Sequence, residues 1–308
     1  MHQKTIRKPV QCSGIGLHTG RKVELTLSPA APDTGIVFAV RHGEDWRHIT
    51  PGPHNVSDTG LATTLSDGDA KLSTVEHLLA AISGLGLDNI HIRVSGAEVP
   101  IMDGSAASFV FLLRSAGLVE QAAPRRFLKV TRPMALTRDG KSVRVTPYDG
   151  FAVDYSIDFK HPLIGRQDMS LDITPDSFVR RLAKARTFGF LRDVERMQRA
   201  GLALGGSLDN AVVLDEYGVV NPEGLRFKDE FVRHKVLDFV GDMAVSPLPL
   251  LGRFEISCSG HALNNEFLRY VLDNAATCLD TVAAPARIAA RQASAPAPAG
   301  VGEAALAS

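Results

Sequence analysis

The stretch "VRHKVLDFVGD", Val232 to Asp242, sets His234, Asp238 and Asp242 four residues apart among mostly apolar neighbours. In an α-helix each residue turns by about 100°, so such positions drift only about 40° per step and stack along one stripe. Val236, Leu237, Val240 and Met243 fall on the other side, and the segment reads as one helix over roughly 230–243. One imidazole and two carboxylates in a single file have two explanations. One is a solvated polar face, the commoner origin of such a pattern; the other is a set of ligands. The segment alone puts the solvated face first.

The surrounding chain is of ordinary globular composition. Its 308 residues suggest about two domains. Hydrophobic residues make up 44% and charged residues 22%. Lysine plus arginine balances aspartate plus glutamate at 34 each, so bulk charge points to no nucleic acid and no acidic membrane surface. Cys12, Cys258 and Cys278 are odd in number and form no C-x-x-C, which argues against a disulfide framework. The opening "MHQKTIRKPVQ" lacks the apolar run of a signal peptide. No stretch reaches the length of about 18 apolar residues that a membrane span needs. These features predict a soluble, cytoplasmic protein.

Moving outward from the helix, "GIGLHTG" (Gly14–Gly20) has its third glycine one place late for a dinucleotide fingerprint and leads into the alternating "KVELTL", so it reads as a turn before a strand. Helices are predicted over 74–83, with Ser73 as N-cap and Gly84 beyond the end, and over about 105–116. "NIHIRV" alternates strictly, aiming Ile90, Ile92 and Val94 at a core. "EQAAPRR", Glu120 to Arg126, is the linker candidate. Beyond it, "FLKVT", "KSVRVTP" and "AVDYSIDF" read as strands, with helical segments near 176–184 and 193–200. "NAVVL" and "RFEISCS" are further strands, and a last helix starts near Asn264. Strands and helices are grouped rather than alternating, which predicts an α+β fold. No sequence repeat is strong enough to assert. The tail from Gln292, rich in alanine, proline and glycine, predicts disorder over 292–308.

Two other places hold titratable groups. In "STVEHLLAA", Ser73 and Glu76 match a capping box, and His77 follows in the first turn of an apolar helix. In "SCSGHALNN", His261 follows a glycine turn and reads first as a loop histidine. A hydrolytic metal site typically has three protein ligands and an open position. The chain contains the residue types for one, but no H-E-x-x-H pair, so any such site must be assembled from distant segments.

Six stretches change the weighing: "SGIGLHTG", "STVEHLLAA", "EVPIMDGSA", "ARTFGF", "GLRFKDEFVRHKVLDFVGD" and "SGHALNN". In this order they resemble the UDP-3-O-acyl-N-acetylglucosamine deacetylases, zinc enzymes of bacterial lipid A synthesis, up to about residue 280. The resemblance implies two domains of similar layered sheet-and-helix architecture, 1–120 and 127–283, with the active site between them. It implies zinc held by His77, His234 and Asp238, although a His-His-Asp set also suits ferrous iron. Glu76 becomes the general base, His261 the general acid supported by Asp242, Thr187 an oxyanion partner, and Lys235 a group near the diphosphate and the reacting centre.

For the substrate, the resemblance implies an acyl tunnel on the insert after "RTFGF", with Phe188, Leu191, Val194, Ala211 and Val213 as apolar candidates; plain core is the alternative for each. "IDFKHP" resembles the family's uridine stretch, with Phe159 to stack on uracil, Asp158 to accept a hydrogen bond and Lys141 to meet the diphosphate. The partner implied is an acylated UDP-sugar, whose acyl chain brings the enzyme transiently close to a membrane. Two rival readings remain at this point: a metal hydrolase for another nucleotide sugar, and a nucleotide-sugar-binding regulator with a dead site. An intact Glu76, His261 and ligand set speaks against the regulator.

Overall fold

The computed structural model describes residues 1–285; the tail expected to be disordered from Gln292 lies outside them. Among the described residues the helices are α1 (Glu76–Leu85), α2 (Ala107–Ser115), α3 (Pro175–Arg181), α4 (Leu191–Arg199), α5 (Glu230–Met243), α6 (His261–Asp273) and the single turn α7 (Ala275–Cys278). The fold is α+β, as the grouping of elements predicts.

Two sheets carry these helices, and they share one topology. In the N-terminal half the strand order is Val10–Ile15, Lys22–Pro29, Ile90–Val94, Ile36–His42, Asp45–Ile49. The neighbours run antiparallel, antiparallel, parallel and antiparallel. In the C-terminal half the order Met134–Arg138, Lys141–Thr146, Leu250–Ser257, Phe151–Phe159, Gly165–Asp172 repeats that sequence of directions. Each half also begins and ends on an antiparallel pair, His2–Ile6 with Leu118–Pro124 and Arg126–Val130 with Leu279–Ala283. The sequence shows no repeat, but the backbone does: sheet topology needs only matching apolar alternation and crossovers, not matching residues.

Alternation decides which strand faces are buried. Ile90, Ile92 and Val94 are buried while His91 and Arg93 are exposed, as read from "NIHIRV". The helices then lie on the sheets, α5 on Phe151–Phe159 and Gly165–Asp172, α6 on Met134–Arg138 and Lys141–Thr146, and α2 on Val10–Ile15. The two layered halves meet where α1 packs on α5, and one apolar cluster runs through both. Gly241 of α5 makes the approach possible, because a Cβ there would stand 2.1 Å from the Glu76 carbonyl oxygen.

Several boundaries differ from the sequence reading. Helix α1 starts at Glu76 and is stopped by Gly86 at φ 72°, where the left-handed region suits glycine. Gly84 lies inside the helix, and a Cβ there would meet the Phe178 ring at 2.4 Å. The polar stretch Glu120–Arg126 is not a loop. Strand Leu118–Pro124 runs through it to pair with His2–Ile6, and the intervening Arg125 is buried against Asp88 at 2.6 Å. Strand pairing overrides polarity there, because the edge of the first strand needs its hydrogen bonds met. Helix α6 begins at His261 rather than near Asn264, with Gly260 extended before it.

The halves differ in what they insert between the fifth strand and the central helix. The first inserts residues 50–75, holding a three-stranded sheet of Val56–Asp58, Thr64–Asp67 and Ala70–Leu72. The second inserts 173–229, with α3, α4 and a parallel pair, Phe188–Phe190 with Val212–Leu214.

Candidate active site

The file His234, Asp238, Asp242 is not a solvated face. All three residues are buried, at 2%, 4% and 3% exposure, because α5 is covered on one side by its own sheet and on the other by α1. The amphipathic expectation fails for this reason: a helix between two layers has no face left for water.

His77, in the first turn of α1, completes the group. His77 Nε2 lies 3.5 Å and His234 Nε2 3.2 Å from the same Asp238 oxygen, Oδ1. The two rings meet edge to face with centroids 5.0 Å apart. One ligand atom from each of His77, His234 and Asp238 falls within 4.8 Å of the others. Asp238 Oδ1 is buried with no hydrogen-bond donor, and so is His77 Nδ1. A buried carboxylate oxygen left without a donor is costly, and a cation held between the three side chains would offset that cost.

Neighbouring contacts orient two of these side chains, His234 and Asp238. His234 Nδ1 donates to the Ala185 carbonyl at 3.1 Å, which leaves Nε2 with its lone pair towards Asp238. Burial drives the His234 imidazole down to about 3 against the opposing pull of Asp238, so the ring is neutral, as a ligand must be. Burial alone would raise Asp238, but its neighbours, His234 first and then the Lys235 ammonium, outweigh it and hold the carboxyl well below its usual range. Lys235 Nζ donates to Asp238 Oδ2 at 2.8 Å. Its own pKa is raised, since Asp238 outweighs desolvation.

Two further groups flank this centre. Glu76 is buried at the N-terminus of α1, and burial raises its pKa in spite of the neighbouring His261 and His77. Its Oε2 accepts the Thr63 backbone N–H at 3.0 Å. The capping box is absent: α1 has no side-chain cap, and Ser73 Oγ instead accepts from the Thr64 hydroxyl at 3.0 Å. Opposite, His261 Nδ1 donates to Asp242, 2.9 Å from Oδ2. Desolvation opposes the charged ring, but Asp242 prevails, followed by Glu76 and Asp238, and the imidazolium is pushed up to about 9. Asp242 also accepts from Asn264 Nδ2 at 2.8 Å and from the Thr63 hydroxyl at 2.6 Å.

The residues expected on the insert and at the sheet end are placed as follows. The Thr187 backbone is fixed by a bond from its N–H to Gly104 O and one from Val212 N–H to its carbonyl, both 2.8 Å. Phe188 stands edge-on to Phe231 at 5.0 Å and 6.3 Å from His234, with Lys235 Nζ 5.6 Å from its ring centre. Val194 and Ala211 are half-buried and Val213 is buried, whereas Leu191 is 43% exposed, so plain core does not account for it. Phe159 meets Phe188 at 5.6 Å. Lys141 and Asp158 are exposed. Ser142 and Ser156 both pair with Ser257, which puts Lys141, Asp158 and Phe159 at the sheet end from which the chain turns into His261.

The family model for UDP-3-O-acyl N-acetylglycosamine deacetylase matches residues 3–273. The chain belongs to this deacetylase family. A UDP-3-O-acyl-N-acetylglucosamine deacetylase of Nitratidesulfovibrio vulgaris is 60% identical over 285 residues, covering 92% of each chain. Deacetylases of the same name from Oleidesulfovibrio alaskensis and Thioalkalivibrio sulfidiphilus are 57% and 50% identical over 274 residues, covering 89% and 88% of this chain and 90% of each relative. Deacetylases of this family are metal-dependent, and the His77, His234 and Asp238 cluster fits that need.

Sequence reading missed four contributors: the backbone and hydroxyl of Thr63, Asn264 on Asp242, the Ala185 carbonyl on His234, and Ser259, whose hydroxyl donates to Asn264 Oδ1 at 2.6 Å. Asn264 had a signal, since it lies three residues after His261 on one helix face. Thr63 had none, because its partners lie 13 and 179 residues away.

Proposed function

We propose that this chain hydrolyses the N-acetyl group of UDP-3-O-[(3R)-3-hydroxyacyl]-N-acetylglucosamine, releasing acetate and the free amine, the committed step of lipid A synthesis. One observation carries the reading: a buried His-His-Asp cluster has a buried carboxylate on one side and an imidazolium on the other, in a chain of this family. His77, His234 and Asp238 would hold zinc or ferrous iron. When bound, such an ion lowers the pKa of water and polarises the acetyl carbonyl.

The chain's own groups perform the proton transfers. Glu76, with its raised pKa, takes the proton of the attacking water. Thr187 and Lys235 face the charge that develops on the carbonyl oxygen. His261, kept protonated by Asp242, gives its proton to the departing nitrogen, which leaves poorly as an anion. Both groups are raised, Glu76 by burial and His261 by Asp242, and these separate environments mark the division of roles.

The substrate's ends extend to either side. Phe188, Leu191, Val194, Ala211 and Val213 line the acyl path, and the exposure of Leu191 suits a surface that a lipid chain covers. Phe159 and Asp158 take the uridine, and Lys141 the diphosphate. The chain acts as two domains, 1–120 and 127–283. No helix among the described residues is long and apolar enough to cross a membrane, and we place the protein in the cytoplasm, near the membrane only through its acylated substrate. Acetate release from the acylated UDP-sugar, measured on the metal-loaded protein, tests the reading. Turnover of another nucleotide sugar in its place, or binding without acetate release, would replace it with one of the two rivals.

A further inference from the structure

Thr63 belongs to the first insert, yet it touches both catalytic arms. Its backbone is tied to the start of α1 twice: its N–H donates to Glu76 Oε2 at 3.0 Å, and its carbonyl accepts from Val75 N–H at 3.3 Å. Its side chain turns the other way, into the C-terminal half. The hydroxyl donates to Asp242 Oδ1 at 2.6 Å, and its oxygen stands 3.4 Å from His261 Nδ1. The residue is 2% exposed. A threonine hydroxyl has one proton, and here it goes to the carboxylate.

We propose that Thr63 is a positioning residue that sets the general acid relative to the general base across the two halves of the molecule. Three donors surround the Asp242 carboxylate: the Thr63 hydroxyl, His261 Nδ1–H and the Asn264 amide. Thr63 and Asn264 fix the carboxylate's rotation, and the carboxylate fixes the plane of the imidazole, so the other ring nitrogen keeps one direction. Thr63 is itself held on the segment that holds Glu76. The distance from base to acid is therefore set through one residue rather than through packing of the halves alone. Outer-shell hydrogen bonds of this kind commonly alter activity by about 10–100-fold.

This inference rests on the acid and base roles proposed for His261 and Glu76. Its test compares Thr63→Val, which keeps the shape and removes the hydroxyl, with Thr63→Ser, which keeps the hydroxyl. Thr63→Val is expected to lose about tenfold or more in kcat, with KM changed less than about threefold and bound metal unchanged. Thr63→Ser is expected to restore most of the rate. In an Asp242→Asn background the Val substitution should cost little more, because residues acting as one unit do not add. Thr63→Ala, free of the branched methyl groups, gives the same comparison if the Val variant does not fold. Wild-type-like turnover in Thr63→Val or Thr63→Ala overturns the proposal, and so does an equal loss in the wild-type and Asp242→Asn backgrounds. Absence of acetate release from the wild-type protein itself fails the parent reading instead.

Discussion

The two halves have one topology and divide the chemistry unequally. In the first half α1 is an apolar rod whose titratable residues, Glu76 and His77, are confined to its first turn. In the second, α5 carries His234, Asp238 and Asp242 over two further turns. The turns before α2 and α6 correspond as well, each containing a non-glycine residue in the left-handed region, Met102 at φ 55° and Cys258 at φ 51°. Yet the first of these turns holds Asp103 on Arg226 at 2.7 Å, and the second leads to His261 on Asp242. A repeated scaffold thus fixes where side chains converge, and the residue types and inserts of each half decide what they do there. Neither half holds the whole cluster, since His77 meets His234 and Asp238 from the other.

The largest expected effect is loss of that meeting. His234→Ala should abolish both bound metal and acetate release, read by elemental analysis and by assay. Full metal occupancy in this variant would remove His234 from the ligand set and the C-terminal half from its dominant part in the metal centre.

Next in size, Glu76→Gln tests what the first half supplies beyond a ligand. Turnover should fall by about 10²–10⁴ with metal retained. A purely structural role predicts a lower melting temperature with normal turnover. That result would reduce the first half to His77 alone.

A smaller effect comes from Asp242→Asn, which probes the second half's acid. As the proposed acid, His261 would act protonated, and Asp242 raises it to about 9, so the rate should fall as pH rises through that value. Removing the carboxylate's charge lowers the imidazole pKa. The alkaline limb should therefore move towards neutral pH in a rate profile. An unmoved limb would assign it to another group.

The smallest expected effect lies at the contact between the halves. Gly241→Ala places a Cβ against the Glu76 carbonyl, and overpacking of this kind costs about 1–3 kcal/mol. Thermal melting should show the loss, with turnover falling because Glu76 shifts. Gly84→Ala, which presses α1 on Phe178 instead, should lower stability with less change in rate. Equal kinetic effects from the two glycines would mean that the α1–α5 contact has no special part in alignment.

The sequence by itself determined most of the elements and, through its motifs, which residues are proposed to hold a metal. Four-residue spacing predicts a helix that stacks His234, Asp238 and Asp242, and the structure has that helix at Glu230–Met243. Alternation in "NIHIRV" and the glycine turn before "KVELTL" are local signals, decided within a few residues by sterics and burial. Six motifs in order pointed to the family, and the match over residues 3–273 shows it.

Only the tertiary structure decided environment. Whether the file on α5 faced water depended on α1 covering it, and Glu76 caps nothing because α1 begins at Glu76 itself, whose carboxylate accepts from Thr63 instead. The repeat of topology was hidden because a fold needs a pattern of burial rather than matching residues. Thr63 itself was invisible for a related reason. Its hydroxyl partner is 179 residues away, and no period in a chain reports a contact that only the docking of two halves creates.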